Sequence, residues 1–339
     1  MTKARTQLTK EVIKQLEASG FSLSDECDVR PSCFDLVARR DEKLILVKIL
    51  TNINALSAED AMALQLVAHF FNATPLIVGQ KTGRGNLDPG VVYKRYGVST
   101  IAPSTFQRMI SEEVMPREFS QKGGRYVALD GRKLREARLE QNLSSEELAR
   151  CVQVSARAIL AYENNEIEAS TEVAERLAQR LERVLETDLM IPIDLLTSPP
   201  QDSEIEGFRA RIESEWSRQG EPGPDSFDRE LEQRVNRFFE RLGMKVLWTD
   251  RAPFHVAAKE KGPPLISGVG SIKSWALRKR MSILKSVSEI AESDTVIIVE
   301  EGEVRENVAS LPVIRQLELE SIEKPQELKK IIAERSEQV

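Results

Sequence analysis

Between residues 130 and 188, helix-start signals recur at intervals too short for long helices, and this limits the segment to a compact bundle of short ones. Leu129–Gln141 is amphipathic, with Leu134, Ala137 and Arg138 in register, and Asn142-Leu143 breaks it. Ser144-Ser145-Glu146-Glu147 then forms a capping box, in which the Ser144 hydroxyl and the Glu147 carboxylate each satisfy a backbone donor at the helix start. Leu148 and Ala149 follow, the small residue letting two helices cross closely. Val152-Gln153-Val154 makes a turn, Ser155 is a second N-cap, and Ile159 faces the core from the helix that Ser155 opens. That helix ends in Tyr162-Glu163-Asn164-Asn165, and Val173–Leu185 supplies the closing helices.

The words Leu134-Arg135-Glu136-Ala137-Arg138, Leu143-Ser144-Ser145-Glu146-Glu147-Leu148-Ala149, Val154-Ser155 and Ile159…Tyr162-Glu163 resemble the Cro-repressor (XRE-type) DNA-binding family. The resemblance implies a five-helix helix-turn-helix in which residues 155–163 are the recognition helix, its early side chains entering the major groove. Ala156, Arg157, Leu160 and Ala161 stand there, and Arg157 is the residue able to read guanine bidentately. The Ser144 and Ser155 hydroxyls, at helix N-termini, are expected at phosphates. Ser145 stands where the family usually carries a glutamine, so one common contact is changed. Arg135 and Arg138 belong to a basic cluster with Arg132 and Lys133, joined by Arg150 and Arg157. The cluster lies in an acidic setting: residues 130–188 hold nine Lys/Arg against thirteen Asp/Glu, and the whole chain carries a net charge of −6. Affinity for DNA must therefore come from a local face rather than from bulk charge.

The flanks read as α/β units. In the first, Thr9 opens a helix to about Ser19, and Phe21–Leu23, Cys33–Ala38 and Leu44–Leu50 follow as strands. Ser57 caps a helix to about Asn72, and Pro75–Val78 and Val98–Ala102 are two more strands. The last third repeats that order: a helix over 228–242, strands at Met244–Trp248, Phe254–Ala258 and Leu265–Val269, a helix over 272–292, then strands at Thr295–Val299 and Pro312–Ile314. Words recur too. Phe34-Asp35-Leu36-Val37-Ala38 matches Phe254-His255-Val256-Ala257-Ala258, Thr74-Pro75-Leu76-Ile77-Val78 matches Asp294-Thr295-Val296-Ile297-Ile298-Val299, and Ala18-Ser19-Gly20-Phe21 matches Arg241-Leu242-Gly243-Met244. The expectation is one α/β domain present twice, with the helical domain between the copies.

This element order resembles the restriction-endonuclease-like fold. That family takes an Asp on the second strand, then an acid and, two positions on, a lysine on the third; two carboxylates hold Mg²⁺ and the lysine orients the attacking water. Asp35 and Lys48 fill the outer places, but Leu46 stands in the middle one. In the second copy His255 replaces Asp35, and Leu265-Ile266-Ser267-Gly268-Val269 offers neither acid nor lysine. Both copies are expected to be catalytically degenerate, with Asp35 and Lys48 forming an internal ion pair.

Other features carry less. Lys81-Thr82-Gly83-Arg84-Gly85-Asn86 lacks the ending of a phosphate loop and reads as solvated. The basic run from Lys273 through Arg278-Lys279-Arg280 to Lys285, beside Trp275, reads as a solvated helix face. Cys27, Cys33 and Cys151 form no metal or disulfide spacing, and Cys151 is expected to be buried filler. Pro116 with Gly123-Gly124, and Pro199-Pro200 with Pro222-Gly223-Pro224, mark linkers over about 112–126 and 197–226; within the second, Ile205, Phe208, Ile212 and Trp216 have helical spacing.

The whole organisation resembles a group of archaeal helix-turn-helix transcriptional regulators. The expected fold is a multidomain α+β chain: a degenerate α/β endonuclease-like domain over 1–112, the helix-turn-helix over 127–190, a linker with an amphipathic helix over 191–227, and a second degenerate α/β domain over 228–339. The resemblance implies a cytoplasmic, sequence-specific transcription regulator bound to double-stranded DNA as a homodimer, because one recognition helix covers one half-site. No enzyme activity, cofactor, metal or membrane partner is expected, and any small-molecule effector is unassigned. Two alternatives remain open at this point, a Mg²⁺-dependent nuclease of structured DNA and a protein-interaction scaffold that does not bind DNA.

Overall fold

The computed structural model describes residues 3–182, 188–201, 205, 229–300 and 305–337. The chain forms two compact units: one comprises residues 1–49, 55–77 and 196–339, the other residues 50–54 and 78–195. The amphipathic helix expected around Phe208, Ile212 and Trp216 lies outside the described residues.

The first unit opens with α1 (Lys3–Ala18), which buries Leu8, Val12 and Leu16 along one stripe. Strands β1 (Ser22–Leu23), β2 (Leu36–Arg40) and β3 (Lys43–Asn52) follow, antiparallel in that order. Helix α2 (Ala58–Phe71) starts at Ser57, whose side chain accepts the Asp60 N–H, and ends at Asn72 in the left-handed conformation. Strand β4 (Thr74–Thr82) comes after it. The expected strand over Cys33–Ala38 starts only at Leu36. Residues 33–35 pack instead as irregular chain that carries Asp35 into the interior.

The same unit holds the C-terminal elements. Helix α8 (Arg229–Arg241), numbered after the helices of the second unit, packs Leu231, Val235, Phe238 and Phe239 onto a core with Val256, Val269, Ile298, Ile314 and Ile332. Strands β11 (Lys245–Trp248), β12 (Val256–Lys259) and β13 (Leu265–Val269) are antiparallel. Helix α9 (Trp275–Ala291) leads to β14 (Thr295–Val299), parallel to β13, and β16 (Leu311–Arg315) runs parallel to β14. Not expected from the sequence were β15 (Asn307–Val308), which pairs with β16, a 3-10 turn over Gln316–Ser321, and α10 (Pro325–Ser336), which closes the core with Leu328 and Ile332.

The second unit contains β5 (Gly85–Asn86), β6 (Val91–Arg95), β7 (Val98–Ile101) and α3 (Pro103–Ser111), the last starting at Pro103 without a side-chain cap. The segment over 112–126, expected as a linker, is instead largely a hairpin. Strands β8 (Glu118–Gln121) and β9 (Gly124–Val127) turn at Lys122-Gly123, and Gly123 has φ +109°, a conformation side chains resist. The hairpin is held by pairing on both sides, β8 with β6 in parallel and β9 with β10 (Ala169–Ser170) in antiparallel. Strand β9 thus enters the helical core: Val127 and Ala169 are fully buried among Leu134, Leu148, Ile159, Ala174 and Leu177.

Four helices surround that core: α4 (Gly131–Glu140), α5 (Ser145–Val152), α6 (Ala156–Glu163) and α7 (Thr171–Leu181). The closing helices were expected over Val173–Leu185, and residues 183–187 lie outside the described residues. Among the described residues no helix is long and apolar enough to cross a membrane.

Candidate nucleic-acid interface

The helical unit builds its outer face from caps and turns that the local sequence dictates. Asp130 caps α4 by accepting the Lys133 N–H at 3.1 Å. Asn142 reverses the chain at φ +53°. At Ser144 the capping box is complete: its Oγ accepts the Glu147 N–H, and Glu147 Oε2 accepts the Ser144 N–H at 2.8 Å and its hydroxyl at 2.7 Å. Those two hydrogen bonds hold the Glu147 carboxyl below the usual carboxylate range. Gln153 ends α5 at φ +59°, and Ser155 caps α6 by accepting the Ala158 N–H at 3.1 Å.

Helix α6 therefore presents two faces. Ile159 and Tyr162 are buried, and so is Ala161, which was expected at the groove but turns to the core, while Ser155, Arg157 and Leu160 are exposed and Ala156 is half-buried. Leu160 is 48% exposed and shares the outer face of the helix with Arg157, three residues before it. The Arg157 side chain has no intramolecular partner among the described residues, and the same holds for Arg132 and Arg135 on α4. Ser144 is exposed and Ser145 half-buried at the start of α5, and the Ser145 hydroxyl donates to Glu146.

Arg138 is the correction within this set. Expected at DNA, it is instead buried, and its guanidinium donates to both carboxylate oxygens of Glu163, at 2.6 and 2.9 Å, and to the Leu143 carbonyl at 2.9 Å. The fork joins the end of α4 to the end of α6. The Glu163 hydrogen bonds raise the Arg138 pKa, so its charge is permanent and internally matched. Beside it, Gly131 lies so close to α6 that a Cβ there would land on the carbonyl oxygens of Tyr162 and Glu163. Sequence reading did not single out Gly131, although a glycine just inside a helix N-terminus is itself a sign of close backbone approach. Cys151, expected inside, is exposed on α5, because its helical position falls between the buried Ala149 and Val152.

In the other unit, the cluster at Asp35 decides whether nuclease chemistry is available. Asp35 is buried, and its Oδ1 meets Arg5 at 2.7 Å, Arg30 at 3.4 Å and Lys48 at 3.7 Å. Its Oδ2 accepts the Ile49 N–H at 2.8 Å. Both oxygens are thus engaged by the protein's own donors. Leu46 lies two residues before Lys48 on β3, on the same side of the strand by the two-residue repeat, and is buried. The residues present do not fit Mg²⁺: one carboxylate surrounded by three cations repels a divalent ion, and an isobutyl group takes the second carboxylate's place. Among the described residues no group of three or more His, Cys, Asp or Glu side chains could hold a metal. Sequence reading placed Asp35 and Lys48 together but missed Arg5 and Arg30, which reach the carboxylate from α1 and from an irregular turn.

His255 stands in an equally closed setting. Its Nδ1 accepts the Val269 N–H at 2.9 Å, and burial, with the Arg280 charge second, pushes its pKa down to about 3. A Cβ at Gly268 would come within 2.9 Å of Leu277 and 3.1 Å of Ile297, so no lysine fits there. Burial pushes the Cys27 and Cys33 thiols up, which keeps both protonated and unreactive.

The fold and this exposed helix face define a helix-turn-helix protein joined to endonuclease-like α/β structure. Comparison with known proteins agrees. A family model described as a PD-(D/E)XK superfamily domain matches residues 5–116, and one described as helix-turn-helix matches residues 134–186. A relative from Haloarcula marismortui is 34% identical, covering 98% of each chain. One from Methanothermobacter thermautotrophicus is 31% identical over 98% of this chain and 97% of its own, and one from Thermococcus kodakarensis 32% over 97% and 95%. Each bears the name "Putative HTH-type transcriptional regulatory protein". This chain belongs to that archaeal family of HTH-type transcriptional regulatory proteins. No solved structure matches it.

Proposed function

We propose that the protein is a sequence-specific transcription regulator that binds double-stranded DNA through α6, entering the major groove with Ala156, Arg157 and Leu160. The observation that carries this reading is the unpartnered, exposed Arg157 beside Leu160 on a helix otherwise anchored by Ile159 and Tyr162. A free guanidinium matches the O6/N7 edge of guanine, and an exposed leucine suits a thymine methyl. Arg135, with Arg132 and Arg150, supplies phosphate contacts, as do the N-terminal turns at Ser144, Ser145 and Ser155. Arg138 has no part in the interface, because Glu163 holds it inside.

The α/β parts fit scaffolding better than catalysis. Asp35 is neutralised from three directions and His255 is buried and neutral, so we infer two degenerate copies of one endonuclease-like domain and no hydrolysis of DNA. Two chains per operator, one recognition helix per half-site, is the arrangement a single α6 demands. A cytoplasmic setting follows from a DNA target.

The test is capture of genomic fragments on purified protein, followed by footprinting. A short repeated motif should be enriched over competitor DNA at low salt. Arg157→Ala should cost about 1–3 kcal/mol and relax preference at one base position. If no fragment is enriched, the reading fails and a protein-interaction scaffold takes its place.

A further inference from the structure

We propose that the two α/β halves of the first unit are a two-fold dimer fused into one chain, packed through a face that each half presents to the other. The inference rests on the duplication read above and adds how the copies meet.

Equivalent positions are first fixed inside each half. Asp35 N–H donates to the Val47 carbonyl and Ile49 N–H to the Asp35 side chain, both at 2.8 Å. His255 N–H donates to the Ser267 carbonyl and Val269 N–H to the His255 side chain, both at 2.9 Å. Residues 35 and 255, 47 and 267, and 49 and 269 are each 220 positions apart. The same offset relates the helix ends. Asn72 and Glu292 both have φ +52°, and their N–H groups donate to the carbonyls of His69 and Glu289 respectively. Ala73 and Ser293 in turn donate to Ala68 and Ser288.

The contacts between the halves then exchange at that offset. Arg39 on β2 donates to the last carbonyls of α9, Ile290 at 2.6 Å and Ala291 at 3.2 Å. Lys259 on β12 donates to the Phe70 carbonyl, at the end of α2, at 2.9 Å. Positions 39 and 259 correspond, as do 70 and 290. Each half thus sets a cation on the C-terminal carbonyls of the other's helix, where the helix dipole favours positive charge. An accidental packing of two domains presents unlike surfaces; residue i on j and j on i is the mark of a two-fold axis. Cys33 N–H donates to the Arg251 carbonyl at 2.7 Å, and Arg251 corresponds to position 31, so this bond lies beside the axis.

Divergence has replaced some reciprocal pairs. Arg251 binds Asp60 at 2.6 Å, whereas the counterpart positions hold Pro31 and Arg280, and Arg280 turns to the Ala252 carbonyl. The Phe71–Phe254 ring contact at 5.7 Å has Ala291 and Phe34 as its counterparts. The face through which such α/β domains would associate is therefore consumed within the chain, and a second chain must dock elsewhere.

The test cuts the full chain in place, at a specific protease site inserted between Gln201 and Arg229, and follows the C-terminal piece by gel filtration. It should stay bound to the rest in equimolar amount. Arg39→Met and Lys259→Met should each weaken retention about tenfold or more, since each removes charge-assisted hydrogen bonds to helix-end carbonyls. Arg39→Lys and Lys259→Arg should restore most of it, which separates interface loss from misfolding. Pieces that part on cutting overturn the proposal, as does a loss confined to one of the two Met variants or absent from both. DNA capture by the uncut protein is read separately, so its failure leaves this result intact.

Discussion

His255 shows at the residue scale how burial, aided by a neighbouring charge, sets chemistry. With Val269 N–H on its Nδ1 and its pKa near 3, the ring is neutral in the folded protein at any pH above that value. An unfolded histidine takes a proton near pH 6.5. The unfolded state therefore binds more protons between those two values, and stability contributed by the neutral ring is full above about 6.5 and falls as pH drops toward 3. Relative to His255→Gln, the wild-type protein should lose roughly 2–3 kcal/mol between pH 7 and pH 4.5. Urea titrations of both proteins at the two pH values would show it; parallel pH profiles would contradict it. Asp35 teaches the complementary lesson. Its place matches the first acid of the family's metal site, but its charge is answered by the expected partner Lys48 together with Arg5 and Arg30.

At the scale of elements, the α4–α6 junction is held by one buried ion pair. Removing a single member leaves an uncompensated buried charge, so Arg138→Met and Glu163→Gln should each destabilise the protein by about 3–5 kcal/mol. The double variant Arg138→Met/Glu163→Leu, which removes both charges, should cost much less than the sum. Thermal unfolding of the three variants decides this; additive losses would mean that the pair is not coupled. Other elements show where local reading succeeds. Ser57, Ser144 and Ser155 cap helices at the places their spacing predicts, because a cap is satisfied within three residues of itself. The β8–β9 hairpin was illegible for the opposite reason. Glu118–Gln121 and Gly124–Val127 are short and mixed in polarity, and they become strands through pairing with β6 and β10, distant in sequence.

For the whole molecule, the net charge of −6 means that binding to DNA must be local and sensitive to salt. The proposed phosphate contacts of Arg132, Arg135 and Arg150 would give a slope of log K against log salt of about −3 per recognition unit. Arg135→Ala should make that slope shallower by about one while leaving base preference unchanged. Titrations at several salt concentrations would measure it, and an unaltered slope would remove Arg135 from the interface.

What the sequence determined by itself closes over a few residues: the caps at Ser57, Ser144 and Ser155, the periodicity of the longer strands, the break at Asn142, and the recurrence of Phe34-Asp35 as Phe254-His255. Even the loss of the nuclease acid was visible at Leu46. Only the tertiary structure decided which charges are spent. Arg135 and Arg138 look alike on one helix, yet one is exposed and the other is buried against Glu163, twenty-five residues away. Likewise, Arg39 and Lys259 acquire their roles only where each meets the end of the other half's helix. A cap depends on neighbours along the chain, whereas a charge depends on what stands opposite it in space, and burial sets how much that partner matters.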